Sequence, residues 1–543
     1  MPRRNPRLFN FFNTNQFFAT IQLMVNLHTI YHRSDIQTRI AVIALITTAV
    51  LSLLTAIFLS ASAVVVLSAA TVVAVFIFLR PQWMLAFLLF YLPFEPFVLK
   101  WFGDNLYIYA KYGSELVIYL LVLAVLWRVL TGEIKFKSSP IDLPFVLLIL
   151  IMFASAIINW IPAFTAILGI RQIIRFILLF FVVYQLEPSV KWIRNVLFGM
   201  FIVVAVQVTV AYLQFLSGGA LDNFLLPSAA RAMGDIQFFS GVQQFWDPGK
   251  RLFATMGRYD QLGTFLAFFF LLLSALLYEP RLVKYHNFFA ALLMIGLPVL
   301  ALTYSRSSWF GFIFGFLFIS LWGKKDKRVL KVLYLFIGAV VLYLFISGIA
   351  VGNLIERPDQ GLMERFFEAF SYRRWVSEYY GLGRLYWIIQ TIVKVVPAAF
   401  VFGHGPGMYG GGVAAALSNT TVYDRLGLPF GVYGTTGFID NNWFSIWGEL
   451  GTLGLMIYLW MYATLFFLCI NVWRKSHYYF TRVFALGVAA TMIAVALNAF
   501  LATFLEARTL APYLWVMTGL VALLAYREKI WQSHVVNYEN RTS

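Results

Sequence analysis

Long apolar runs separated by short polar breaks fill most of the chain. They fall near 40–59, 62–79, 82–98, 113–130, 141–160, 166–186, 195–216, 261–279, 287–304, 307–323, 329–350, 443–473, 480–502 and 511–526. Each approaches the length a helix needs to cross a hydrocarbon core. The pattern predicts an all-α polytopic membrane protein with about 14 transmembrane helices. The third run is the weakest, because Pro93 and Pro96 break it and Glu95 lies between them. Two long segments stay outside the runs, 217–260 and 351–442. The second has helical spacing at Leu362, Phe366 and Phe370, then at Leu385, Ile388, Ile389, Ile392 and Val395, with Pro397 ending that stretch. A glycine-rich turn follows from Gly403 to Gly412.

The expected organisation has five parts. Residues 1–38 form an N-terminal segment, and 39–350 a helical bundle with an outer loop at 217–260. A large loop covers 351–442, three helices lie within 443–526, and 527–543 is a tail. In the first segment Phe9, Phe12, Phe17, Ile21 and Met24 alternate with Asn10, Asn13, Asn15 and Gln16. That mixture reads as a helix lying on the membrane surface, and not as a cleavable signal.

Composition agrees: 61% of the 543 residues are hydrophobic and 12% are charged, too few charges for an ordinary soluble surface. The single cysteine, Cys469, excludes a disulfide within the chain and a cysteine-based metal site. No metal or cofactor is expected.

A net charge of +17 raises the question of nucleic acid, but its distribution answers differently. With fourteen spans, the segments on the side of the termini carry +16 of that total. Lys324-Lys325-Asp326-Lys327-Arg328 is the strongest of them. By the positive-inside rule both termini are cytoplasmic and both long segments lie outside. The basic excess is then a topology signal; membrane lipid is an expected partner and nucleic acid is not. Segment 351–442 balances seven acidic against seven basic residues, so an anion site there must be built from particular arginines.

Several residues are candidates for chemistry. Arg306, in Thr303-Tyr304-Ser305-Arg306, is the only Asp, Glu, Lys or Arg between His286 and Lys324. It reads equally as a guanidinium snorkelling to lipid or as a phosphate ligand at a cavity mouth. Arg384, ahead of Trp387, reads alone as a surface arginine. In Phe402-Gly403-His404-Gly405-Pro406-Gly407 the glycines permit close backbone approach, and His404 is a possible base or a structural histidine. Asp440-Asn441-Asn442 is a natural helix cap, yet Asp440 is also placed to accept a proton. Glu449 lies two turns into a span, where a charge is costly. Arg171 and Arg175, four apart on one helix face, and the pair Arg251 and Arg258 read equally as ligands for a diphosphate or as guanidiniums snorkelling to lipid phosphate.

Taken in order from Arg251 to Leu455, these features resemble the O-antigen ligase and polymerase superfamily of bacterial membrane glycosyltransferases. The resemblance rests on Arg251 to Gly263, Ser305-Arg306, Arg384 with Trp387, Pro397, Gly403 to Gly407, and Asn441 to Leu455. The last is similar to a family pattern of polar-Asn-x-x-Leu-x-x-x-x-Glu-x-Gly-x-x-Gly-Leu. It implies a bundle like that of the GT-C glycosyltransferases with a partly helical extracytoplasmic loop. It also implies metal-independent, inverting transfer from a glycan on undecaprenyl diphosphate to a glycan or lipid-linked acceptor. By position Arg306 and Arg384 would hold the diphosphate, and Arg251, Arg258 and Arg175 stand beside them as candidate ligands from their charge alone. Asp440 would activate the acceptor, with His404, Glu449 and Asn441 as secondary candidates. Ligases of the family usually carry His-Asn where this chain has Asp440-Asn441. That departure favours a polymerase of repeat units, with a ligase as the alternative and a flippase as a remote one. Other polysaccharide-assembly proteins are possible partners.

Overall fold

The computed structural model describes residues 61–227, 231–233, 236–238, 248–279, 281, 285–348 and 350–531. The surface helix expected before residue 39 and the run at 40–59 lie outside the described residues. Beyond them, each of the other thirteen apolar runs is helical. By length and composition, six described helices suffice to cross a membrane, or up to seven if a bent pair counts as one span. That pair, Ala163–Ile174 and Ile177–Leu186, is bent by 52°. The third run is broken as its prolines require, into Pro81–Tyr91 and Glu95–Leu99. One feature was not expected: residues Arg231–Met233 and Ile236–Phe238 pair as a short antiparallel ribbon.

The core forms around Tyr259–Leu277 and Tyr479–Asn498, the most buried of the candidate spans. Small residues let their neighbours approach. A Cβ on Gly315 of the Arg306–Leu317 helix would meet Leu271 Cδ1 at 2.5 Å. Such close approach is how helices gain packing where lipid removes the hydrophobic drive. Lys327–Ser347, by contrast, has no buried residue and stands at the periphery.

Side-chain contacts gather the basic segments at one end of the bundle. Arg527 donates to the carbonyls of Glu187 and Pro188, Lys137 pairs with Glu187, and Arg281 and Arg474 stack over Tyr479 and Trp322. At the other end, segment 351–441 folds over the helix termini. It has its own apolar centre, in which Trp387, Tyr409 and Tyr423 are almost fully buried. Its helices include Leu362–Glu368, Tyr372–Tyr380 and Arg384–Gln390, the last continuing through a wider turn to Ala398. The helix therefore runs one residue past Pro397, where the sequence pattern placed its end.

The glycine turn has a specific structural task. The Asn442–Lys475 helix breaks at Gly451, whose φ is 68°. The break frees carbonyls and amides, and the turn fills them. His404 N donates to Gly448 O at 2.9 Å, Gly405 N to Glu449 O at 2.9 Å, and Thr452 N to Phe400 O at 2.8 Å. A Cβ on Gly403 would come within 2.4 Å of the Glu449 backbone, so only glycine fits.

Candidate active site

Arg306 and Arg384, 78 residues apart in sequence, line one cavity of about 1180 Å³. Arg258, Arg365 and Arg374 line it too, against the carboxylates of Asp260 and Glu378. Each arginine is placed by a local feature. Arg306 opens the Arg306–Leu317 helix after Tyr304, which takes a left-handed φ of 54°. Arg258 is the residue before Tyr259–Leu277 and makes a bidentate pair with Asp260 at 2.8 and 3.0 Å. Arg384 begins its helix one turn before the buried Trp387, which anchors it, and its amide donates to Glu378 at 3.1 Å.

A single carboxylate organises the centre. Glu368 is fully buried, with Arg306 Nη1, Arg365 Nη1 and Arg374 Nε each 2.8 Å from its oxygens. Arg365 also reaches Glu356, at 3.0 Å, where Arg251 meets the same carboxylate at 3.2 Å. Three guanidiniums on Glu368 leave the cluster short of negative charge. Burial, with Arg365 and Arg374 beside it, pulls Arg306 down to about 9, so it stays charged at neutral pH and gains from an incoming anion. Burial pushes Glu356 up, but Arg365, Arg306 and Arg251 outweigh it and hold the carboxyl at about 2. Arg384 is raised: burial opposes its charge, while Asp440 and then Glu378 favour it.

Asp440 stands at the edge of this arrangement. Its Oδ2 lies 3.3 Å from Arg384 Nη2, and about a third of its side chain is exposed. Its φ of 50° is uncommon outside glycine, although aspartate is among the types that tolerate it. It is not among the residues lining the cavity and joins it through Arg384.

The other candidates fall elsewhere. Asn441 is the helix cap: its side chain accepts from Phe444 N at 3.1 Å and donates to Phe500 O at 2.9 Å. His404 is buried with both ring nitrogens occupied, one on Val395 O at 2.9 Å and the other on Arg425. Burial lowers it to about 4; the Val395 bond resists this and Arg425 adds to it. A neutral, enclosed imidazole is not placed to serve as base. Glu449 is also enclosed, with its carboxyl against the glycine turn, where a Cβ on Gly411 would sit 3.2 Å from Oε1. The glycine turn is therefore filled by the chain's own side chain. Arg251 is buried over Tyr259, 4.1 Å from the ring centroid, pairs with Glu356, and is not among the residues lining the cavity. Arg175 lines a different cavity with Arg171. Sequence reasoning passed over Glu368, Arg365 and Arg374. Their i, i+3 spacing at 365 and 368 was the available signal, weak among fourteen charges.

Residues 289–459 match the family described as O-antigen ligase. This segment is thus of the O-antigen ligase and polymerase superfamily, whose activity is of the glycosyltransferase type. It contains Arg306, Glu368, Arg384 and Asp440, and leaves Arg171, Arg175, Arg251 and Arg258 outside. The apolar helices and this family fit a bacterial membrane protein. No curated protein matches the chain.

Proposed function

We propose that the chain is an inverting, metal-independent glycosyltransferase at the outer face of the cytoplasmic membrane. It polymerises oligosaccharide repeat units carried on undecaprenyl diphosphate into O-antigen or exopolysaccharide. The observation that carries this reading is the single cavity shared by Arg306 and Arg384, inside the family segment and crowded with guanidinium groups. Gathering of the basic segments at the opposite end supports a cytoplasmic location for them and an outer one for the site. In this topology fourteen spans bring both termini to the cytoplasm, and 351–442 is the catalytic loop.

In the reaction, the acceptor hydroxyl attacks the anomeric carbon of the donor sugar from the face opposite the diphosphate. The new C–O bond forms as the bond to the diphosphate oxygen breaks. Negative charge then grows on the leaving group, and Arg306 and Arg384 stabilise it in place before it develops. Asp440 takes the hydroxyl proton. Its contact with Arg384 couples the base to the leaving-group site, so both are set by one side chain. Arg365, Arg374 and Glu368 act as positioning residues for Arg306.

A ligase, transferring the finished glycan to lipid A–core or another acceptor, is the second reading, and the description of the matched family favours it. The two differ in product. Cells lacking the protein accumulate single capped repeats if it is a polymerase, and long lipid-linked chains if it is a ligase.

A further inference from the structure

A second charged cavity, of about 1010 Å³, opens at the same end of the bundle. Arg171, Arg175, Arg508 and Lys111 line it, with Glu506 and Gln172. A smaller cavity lies between the two. It shares Arg258 with the first, and Lys111, Gln261 and Arg508 with the second. The three therefore form a row across the top of the bundle.

Its arginines are built in and do not snorkel. Arg171 and Arg175 stand at the 52° break between Ala163–Ile174 and Ile177–Leu186. Irregular backbone at such depth persists where it lines a polar cavity. One buried carboxylate gathers the guanidiniums: Glu115 lies 2.8 Å from Arg171, 3.2 Å from Arg175 and 3.7 Å from Arg508. Arg508 also meets Glu95 at 3.1 Å, and Arg175 Nη2 donates to the Glu506 carbonyl at 2.9 Å. Arg175 Nε is buried with no hydrogen-bond partner among the described residues. This repeats the plan of the first cavity, where three arginines converge on Glu368. Charges so placed are costly unless an anion completes them.

Resting on the polymerase reading, we propose that this second cavity holds the diphosphate of the acceptor, a second lipid-linked repeat unit. Polymerisation joins two such units. One gives up its glycan and loses its diphosphate from the Arg306–Arg384 cavity. The other keeps its diphosphate and offers a sugar hydroxyl. Two anion cavities in a row hold both lipids, and the acceptor sugar extends along the connecting cavity toward Asp440. The shared chemistry is a lipid-borne phosphate, which a bilayer phospholipid also carries.

The test counts lipids bound to the full chain in nanodiscs of phosphatidylcholine, by native mass spectrometry with undecaprenyl diphosphate as the probe. Two per chain are expected in the wild type. One should remain in Arg306→Ala/Arg384→Ala, and one in Arg171→Gln/Arg175→Gln. In transfer assays the second variant should raise the acceptor KM at least ten-fold with the donor KM unchanged, and Arg175→Lys should recover part of that loss. A cooperative melting transition shows that each variant is folded, at a lower midpoint because partners of the buried Glu368 or Glu115 are lost. A single bound lipid, lost in the first variant and kept in the second, overturns the proposal. So does displacement of the second lipid by equimolar phosphatidylglycerol, which would make this a site for bilayer headgroups. Binding lost only in the second variant removes the donor role of Arg306 and leaves this site standing.

Discussion

Arg306 Nη1 lies 2.8 Å from Oε1 of Glu368, a carboxylate with no solvent exposure. Two more arginines share that carboxylate, so one buried negative charge fixes the helix end carrying Arg306 to the loop carrying Arg365 and Arg374. Glu368→Gln leaves three guanidiniums facing each other. Removing one partner of a buried ionic cluster costs roughly 3–5 kcal/mol. The expected result is a clear fall in melting temperature and loss of transfer. Glu364→Gln, in a half-exposed contact of 3.7 Å with Arg357, is the control and should change stability by less than about 0.5 kcal/mol.

Asp440 is bound by Arg384 but stands off the cavity wall, as a base facing an incoming hydroxyl would. Asp440→Asn keeps a polar group beside Arg384 and removes the proton acceptor. Turnover should fall by a factor of about 10² or more, with donor binding retained. Asp440→His, which restores the residue type seen in ligases of the family, should recover part of the rate. Wild-type turnover in Asp440→Asn would place the base elsewhere.

The burial of His404 has a pH signature. Its folded value, about 4, is below the ordinary histidine value of about 6.5. Between these values the unfolded chain binds more protons, so stability rises with pH. The neutral form's contribution is complete above pH 6.5 and is lost as pH falls from there toward 4. It amounts to roughly 3 kcal/mol at 1.36 kcal/mol per pKa unit. His404→Gln should flatten that part of the wild-type stability curve while leaving turnover at pH 7 close to wild type. Loss of turnover in folded protein would return His404 to the mechanism.

Gly451 and Gly403 hold the loop to the broken helix. A Cβ on Gly451 would sit 2.3 Å from Val401 O, at a φ of 68°. Gly451→Ala should prevent correct docking of the 399–405 turn, seen as increased protease cleavage in that turn and little folded protein. Gly361→Ala, where nothing lies within 4 Å, should be tolerated.

The helices were legible because an apolar run of twenty residues has few other uses, and helices fill the described runs, six or seven of them long and apolar enough to cross a membrane. Arg306 and Arg384 were legible from their place in an ordered set of motifs, and the cavity does unite them. Glu368 was not, because its meaning depends on Arg306 arriving from another turn, and no local spacing records that meeting. The glycine turn looked like an anion cradle, but the enclosed side chain of Glu449 lies against it. Sequence alone shows neither that this side chain fills the turn nor that Gly451 breaks the helix beneath it. Arg171 and Arg175 had no acid near them in sequence. Their partner, Glu115, comes from the Asp104–Leu130 helix, and they belong to a separate cavity.

The most direct measurement is glycan transfer by the purified chain in nanodiscs, supplied with oligosaccharide repeats on undecaprenyl diphosphate. The wild type should lengthen the glycan and release undecaprenyl diphosphate. Arg306→Ala and Arg384→Ala should each lower the rate by a factor of about 10² or more while remaining folded. A rate close to wild type in either folded variant, or no transfer by the wild-type chain, would contradict the assignment of this cavity to the departing diphosphate.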